Sequence, residues 1–141
     1  MTALDRVRVL ELADGVGAAF AARLLAQYGA TVTKVEPAGG DAARLAFVAG
    51  PVEAGDTSSL HLFLNSGKTI EGAGALQPGD WSDVDLVVTD WPDERLETAG
   101  LTRGGPGRPP VVRVLPFGSS GPYAGWRTTS LVSYAMGGQM S

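Results

Sequence analysis

Gly15 and Gly17 are the first residues whose spacing suggests a binding chemistry. They follow a run of alternating apolar residues and precede a stretch with helical periodicity, and Glu36 comes about twenty positions later, which imitates a dinucleotide-binding fingerprint. Phe20 stands where the third glycine belongs, and we expect its bulk to hold the helix away from the strand. Because the match is partial, an NAD- or FAD-binding Rossmann domain is kept only as an alternative.

Lys68 lies in a second motif, the letters SGKT at positions 66–69, which is typical of the end of a P-loop. In a P-loop, backbone amides and the lysine hold a triphosphate, but the first glycine would fall at Leu62 and no strand is predicted before it. A nucleotide triphosphatase is therefore disfavoured.

His61 is the only histidine, and the chain contains no cysteine. It lies among Leu60, Leu62 and Phe63, where a histidine is more often a packing or hydrogen-bonding residue than a general base. A metal site would have to consist of carboxylates alone, and no spaced carboxylate loop supports one. We therefore predict no metal and assign no catalytic residue.

Asp90 and Trp91 directly follow a predicted buried strand. Ligands of open parallel sheets bind at the carboxyl ends of the strands, so a flat ring such as adenine could lie on Trp91. A tryptophan packed beneath the following helix is an equally good interpretation.

Apolar periodicity predicts an alternation of strands and helices. β-Branched and apolar runs favour strands over 4–12, 31–36, 85–90 and 111–115. Helical spacing favours helices over 17–28, 58–64 and 92–98 and from 131 onwards, and the first carries its larger apolar side chains on one face (Phe20, Ala21, Leu24, Leu25 and Tyr28). A helix between two strands usually makes a parallel crossover, so we predict an α/β fold with a Rossmann-like parallel sheet and flanking helices.

Composition narrows the possible partners. The 141 residues are 44% hydrophobic and 18% charged with a net charge of −4, which favours a folded domain and disfavours binding to nucleic acid or an anionic membrane. No signal peptide is evident, and no apolar run reaches the roughly 18 residues that a membrane helix requires. We therefore expect a cytoplasmic protein.

The stretch LDRVRVLELADGVGAAFAARLLAQYGATVTKVEPAGGDAAR resembles the N-terminal signature of family III coenzyme A (CoA) transferases. That family includes formyl-CoA transferase, the carnitine-CoA and bile-acid-CoA transferases, and α-methylacyl-CoA racemase. The likeness continues in order through LFLNSGK, VDLVVTDW and VLPFGSSGPY and ends in LVSYAMGGQMS. It covers nearly the whole chain.

The resemblance implies that residues 1–141 form the N-terminal, CoA-binding part of a Rossmann-like large domain and are incomplete. An acyl-CoA and a carboxylic acid would be the substrates, and the partner would be a second copy in an interlocked homodimer or a complementing chain. The implied ligand contacts are Asp14, Gly15, Val16, Gly17, Arg44, Asn65, Lys68, Asp90, Trp91 and Arg127. Candidate cations for the phosphates of CoA are Lys34, Arg44, Lys68 and Arg127.

The resemblance also carries departures. The family commonly reads Asn-Phe where this chain has Asp90 and Trp91, and an aspartate repels a phosphate. In the transferases an aspartate carries the acyl group and then CoA, and by motif order it follows Ser141. The racemase histidine corresponds to Thr129, which disfavours racemase activity.

These considerations predict a protein that in its complete form moves CoA between carboxylic acids, with this chain binding CoA but inactive alone. The alternative from another class is a non-catalytic partner or degenerate transferase half that acts as an interaction or structural subunit.

Overall fold

The computed structural model describes residues 2–46, 57–76, 79, 81–101, 107–126 and 128–137. The strands are β1 (Arg8–Leu12), β2 (Thr31–Glu36), β3 (Thr69–Gly72), β4 (Leu86–Thr89) and β5 (Val111–Arg113). The helices are α1 (Val16–Gln27), α2 (Ser59–Asn65), α3 (Asp93–Thr98) and α4 (Ser130–Met136), and short 3-10 helices cover Ala42–Leu45 and Ala73–Ala75. None of the helices within these ranges is long and apolar enough to cross a membrane.

The five strands form one parallel sheet in the order β3-β2-β1-β4-β5. The chain builds outwards from β1 through β2 to β3, and then returns to place β4 on the other side of β1. A reversal of this kind leaves a crevice at the carboxyl ends of the two central strands, where open α/β sheets bind their ligands. The predicted α/β class with a Rossmann-like parallel sheet is confirmed.

Both faces of the sheet are covered, as expected for parallel strands. On one face a cluster of buried residues joins the sheet to α1 (Val9, Ala13, Ala18, Ala22, Val32 and Val88). On the other, a second cluster joins it to α3 and the segment that follows (Leu10, Leu12, Val87, Trp91, Leu96 and Leu101). Neighbouring residues of β1 therefore contribute to opposite cores, as the two-residue period of a strand requires.

Small residues bring α1 close to the sheet. Its buried positions are Ala18, Ala19 and Ala22, whereas the larger side chains that we placed on its apolar face are only partly buried or exposed. Phe20 is 40% exposed and stacks on Phe63 of α2, with ring centroids 6.1 Å apart. The expectation that Phe20 holds the helix away from the strand is therefore wrong, because its ring points away from the sheet.

β3 is the strand that the sequence did not predict. Its four residues pair with β2 in register, Thr33 opposite Thr69 and Glu36 opposite Gly72, but all four are exposed at the edge of the sheet. An exposed edge strand needs no apolar pattern, and so it leaves no periodic signal.

Candidate functional site

The turn after β1 meets the end of β4 at the central crevice. The Asp90 carboxylate accepts hydrogen bonds from the backbone N–H groups of Asp14, at 3.0 Å, and Gly15, at 2.6 Å. These amides lie at the start of α1, where unpaired N–H groups and the helix dipole favour an anion. The position that would attract a bound anion is therefore filled by a carboxylate of the protein.

Two glycines at the start of α1 each allow a close contact. A Cβ atom at Gly15 would lie 2.7 Å from Oδ2 of Asp90, and one at Gly17 would lie 3.3 Å from Cγ1 of Val114. Any side chain at Gly15 would push Asp90 away from the start of α1. The turn that the sequence marked thus makes an internal contact with Asp90.

Arg95 lies on the α3 side of the crevice. It forms a salt bridge with the Asp14 carboxylate, and its guanidinium carbon lies 3.8 Å from the centroid of the Trp91 ring. Trp91 is 8% exposed and packs against Leu96. The ring is therefore packed as the second interpretation predicted, and Arg95 lies over a face on which an adenine was expected. Arg95 was not among the predicted site residues; its position four residues after Trp91 was the available signal.

Hydrogen bonds hold the chain on both sides of Asp90. The Thr89 hydroxyl is buried, donates to the carbonyl of Leu12 at 2.7 Å and accepts from the backbone N–H of Trp91 at 3.0 Å. Arg113 donates to the carbonyl of Trp91 at 3.2 Å and to the Asp93 carboxylate at 2.6 Å. These bonds fix the end of β4 against β1 and therefore fix the position of Asp90.

Four charged residues beneath the turn form an interior network, namely Glu11, Lys34, Asp41 and Lys68. Lys68 Nζ lies 2.5 Å from Oε2 of Glu11, and Lys34 Nζ lies 3.3 Å from Oε1 of the same carboxylate. Lys34 also forms a salt bridge with Asp41. At most 3% of each of these side chains is exposed, so the charges neutralise one another in place of water.

Burial and pairing shift the pKa values of the network in different directions. Desolvation raises the pKa of Glu11 and lowers the pKa of Lys68, because it disfavours both charged forms. Burial acts likewise on Lys34 and Asp41, but their mutual hydrogen bond, together with the charge of Glu11 and the N–H of Ala43, outweighs it. The pKa of Lys34 is therefore raised and that of Asp41 lowered. The Lys34–Asp41 pair is thus held in its charged form.

Three of the residues expected to contact a ligand lie inside the protein in this structure. Besides its bond to Glu11, Lys68 Nζ donates to the carbonyl of Ala19 at 2.8 Å and lies 3.5 Å from Oδ1 of Asn65. The Asn65 amide donates to the carbonyl of His61 at 3.0 Å. Lys34 is buried as well. Lys34 and Lys68, two of the candidate cations for the phosphates of CoA, are thus buried and paired with carboxylates of the protein.

Arg44 and Glu36 form a second charged group at the end of β2. Arg44 donates to both carboxylate oxygens of Glu36, at 2.9 and 3.0 Å, and Nε2 of His61 lies 2.9 Å from one of them. Burial alone would raise the pKa of Glu36, but the bonds from Arg44 and His61 lower it overall. His61 is therefore the buried hydrogen-bonding residue that we predicted. Glu36 already has partners, which disfavours a role in holding a ribose hydroxyl.

Glu36, Asp41 and His61 together could offer three ligand atoms to a cation. The atoms lie within 4.8 Å of one another, so a site need not consist of carboxylates alone as we had reasoned. Lys34 and Arg44 already pair with the two carboxylates. A metal ion would have to displace those cations.

Two cavities open near the carboxyl edge of the sheet. One, of about 220 Å³, lies between the turn after β1 and the first 3-10 helix, and its walls are mostly apolar (Val16, Ala19, Ala43, Ala46, Leu60 and Leu64, with Asp14 and Asp41). The other, of about 380 Å³, lies beyond β4 and β5 and includes Asp90, Arg113, Phe117 and Trp126 in its lining. The smaller cavity adjoins the predicted contact turn at Asp14, Gly15 and Val16. A third and more open cavity, of about 760 Å³, adjoins the same turn at Val16 and Gly17 and is otherwise lined by residues of α4 and of the segments on either side of it.

The remaining predicted ligand contacts are the crevice residues, Arg44 and Arg127. Asp14, Gly15 and Asp90 meet at the crevice, and the exposed Val16 begins α1 beside them. Of the three candidate cations within the described residues, Arg44 keeps the largest exposed fraction, 35% of its side chain. Arg127 lies outside the described residues.

Comparison with known proteins agrees with this geometry, since residues 4–70 match the profile of CoA-transferase family III. The match covers just under half of the 141 residues. Members of that family use acyl-CoA and acid substrates. A comparison with curated proteins found no significant match.

The likeness to solved structures extends over nearly the whole chain. A hypothetical protein of Mycobacterium tuberculosis, Rv3272, is 25% identical over 100% of this chain and 41% of its own, with a TM-score of 0.77, and its orthorhombic form is 26% identical over 99% and 42%, also at 0.77. A CAIB/BAIF family protein of Brucella suis is 25% identical over 97% of this chain and 39% of its own, at 0.74. This chain therefore spans about two fifths of the length of those structures.

Proposed function

We propose that the complete protein moves CoA between carboxylic acids and that residues 1–141 are the N-terminal CoA-binding part of its large domain. The observation that carries the proposal is the meeting of the turn after β1 with the end of β4 at the central crevice, in a chain whose residues 4–70 match CoA-transferase family III. Phosphorylated ligands of open α/β sheets bind at such a crevice.

The smaller cavity is the proposed binding site for the apolar, flat part of the ligand. Its walls are mostly alanine and leucine side chains, and Asp14 and Gly15 belong to both the cavity and the crevice. Aromatic rings bind in concave apolar sites of this kind, oriented by a few polar groups. Arg44 follows the cavity residue Ala43, and its partly exposed guanidinium is the candidate for a phosphate contact.

A cavity-filling variant tests this placement. Ala46→Phe adds a ring to the cavity wall, and we expect it to weaken CoA binding measured by calorimetry by about tenfold or more. Leu45→Phe is the matched control, because Leu45 is the preceding residue and is 74% exposed. Equal affinity of the two variants, or tight binding of NAD with no binding of CoA, would count against the proposal.

The reacting carboxylate is expected in sequence that follows residues 1–141. We therefore expect the 141-residue chain alone to show no thioester exchange between an acyl-CoA and a carboxylic acid. Turnover by this chain without any other polypeptide would contradict that part of the proposal. We expect the complete protein to work in the cytoplasm as a homodimer or with a complementing chain, which size-exclusion chromatography with light scattering tests.

A second candidate is a non-catalytic interaction or structural subunit. One observation favours it, namely that Asp90 and Arg95 of the protein itself fill the crevice. Under this alternative the chain binds neither CoA nor NAD and elutes in a complex with a partner chain. Specific CoA binding that Ala46→Phe weakens would exclude it.

A further inference from the structure

Asp90 uses both carboxylate oxygens at the start of α1. Oδ1 accepts from the N–H of Asp14 and Oδ2 from the N–H of Gly15. The approach is so close that even a methyl group on Gly15 would collide with Oδ2. The amide pair is thus fully occupied, and no space is left between it and the carboxylate.

The surroundings keep the carboxylate in place. Thr89 and Trp91, on either side of Asp90, are held by hydrogen bonds to β1, to each other and to Arg113. Across the crevice, the Asp14 carboxylate pairs with Arg95. Two carboxylates and one guanidinium leave the crevice with a net negative charge.

We propose that Asp90 is a specificity-determining residue that excludes phosphate groups from the crevice between β1 and β4. A phosphate that bound the amides of Asp14 and Gly15 would have to expel Asp90 and leave an unpaired carboxylate beside a multiply charged anion. The proposal rests on the proposed function in one respect: a bound CoA places its phosphates away from the start of α1 and presents an uncharged part to the crevice. The diphosphate of a dinucleotide is rejected for the same reason.

Asp90→Asn should remove this exclusion of phosphate groups. The amide oxygen of asparagine can still accept from one backbone N–H, while its NH2 group donates to an incoming anion. The negative charge is lost and the side-chain shape is kept. The start of α1 then becomes a site that an anion can enter.

Asp85 supplies a matched control at the other end of β4. Its carboxylate accepts from the backbone N–H of Arg8 at 2.8 Å and from Arg8 Nε at 3.3 Å. Asp85→Asn therefore removes the same charge and weakens a similar contact, but at the amino edge of the sheet. It separates an effect of position from an effect of net charge.

The experiment titrates wild type, Asp90→Asn and Asp85→Asn with inorganic pyrophosphate and, separately, with CoA. Calorimetry gives the affinities, and nuclear magnetic resonance follows the amide signals of Asp14 and Gly15. We expect Asp90→Asn to bind pyrophosphate at least about tenfold more tightly than the other two proteins, with saturable shifts of both amide signals. If Asp90→Asn does not fold, Asp90→Ser replaces it, because serine keeps a small acceptor at the same place.

Three outcomes overturn the proposal: saturable pyrophosphate shifts of the Asp14 and Gly15 amides in the wild type, no gain in a folded position-90 variant, or an equal gain in Asp85→Asn. The CoA titration keeps this result apart from the proposed function. If none of the proteins binds CoA while the position-90 variant gains pyrophosphate at those amides, the role of Asp90 in excluding phosphate stands and the proposed function fails. If the wild type binds CoA but the position-90 variant gains no affinity for pyrophosphate, the proposed function stands and the role of Asp90 in excluding phosphate fails.

Discussion

Two groups of charged residues lie near opposite ends of β1 and differ chiefly in exposure. The interior network at the carboxyl end is almost completely buried. At the amino end, Arg8 pairs with Asp83 and Asp85, and each of the three side chains is at least 43% exposed. Similar ion pairs therefore contribute differently to the stability of the fold. At the surface, water replaces a lost partner, whereas in the interior the loss of a partner leaves a buried charge unpaired.

Removal of Glu11 should give the largest effect. Glu11→Ala leaves two buried ammonium groups, Lys34 and Lys68, without their shared carboxylate. Breaking a buried pair in this way costs roughly 3–5 kcal/mol of unfolding free energy, which urea denaturation measures. Glu11→Gln, which keeps the shape, is the control for the cavity. A loss below about 1 kcal/mol for Glu11→Ala would mean that the interior network behaves like a surface pair.

The second-largest effect should come from low pH, which should destabilise the fold through both groups. The pKa values of Asp41 and Asp85 are both lowered in the folded protein, so each stabilises it above its unfolded pKa and the stability is lost as pH falls through the folded pKa. Below about pH 4 we therefore expect the free energy of unfolding to fall, and Asp41→Asn to flatten that dependence. The Asp85 contribution should shrink in high salt and that of Asp41 should persist. Equal salt sensitivity in Asp41→Asn and Asp85→Asn would remove the distinction.

Arg8→Ala should give the smallest change. The guanidinium loses two exposed partners, but the backbone N–H of Arg8 still donates to Asp85. We expect a small decrease in stability at low salt that vanishes as sodium chloride is added, followed by the urea midpoint at several salt concentrations. A decrease that does not respond to salt would mean that Arg8 stabilises by packing.

The central part of the fold was predictable, because its strands carry their own signal. β-Branched runs marked β2 and β4, and the Gly15 turn marked the start of α1. β3 was not predictable, since all four of its residues are exposed. The packed face of α1 was predicted wrongly, because the prediction relied on the larger apolar residues. In the structure, the small side chains of Ala18 and Ala22 allow the helix to approach the sheet.

The candidate site was predictable in position but not in electrostatics. Parallel strands bring Asp14 and Asp90 to the same edge, which follows from the topology. The burial of Lys68 depends on Glu11, 57 positions earlier, and the burial of Lys34 depends on the same carboxylate. No local pattern reveals such partners, so the sequence predicted both lysines as candidate cations for a phosphate. Asp90 was expected to repel a phosphate, but its bond to the amides of α1 emerged only from the fold.

The central position of β1 has a consequence for synthesis on the ribosome. Its neighbour β2 is made soon afterwards, but β4, the other neighbour, consists of residues 86–89. Until that segment leaves the exit tunnel, one side of an apolar strand carries unpaired N–H and C=O groups and can pair with another nascent chain. The time during which this side of β1 is open to such pairing is therefore set by the time that translation takes to deliver β4.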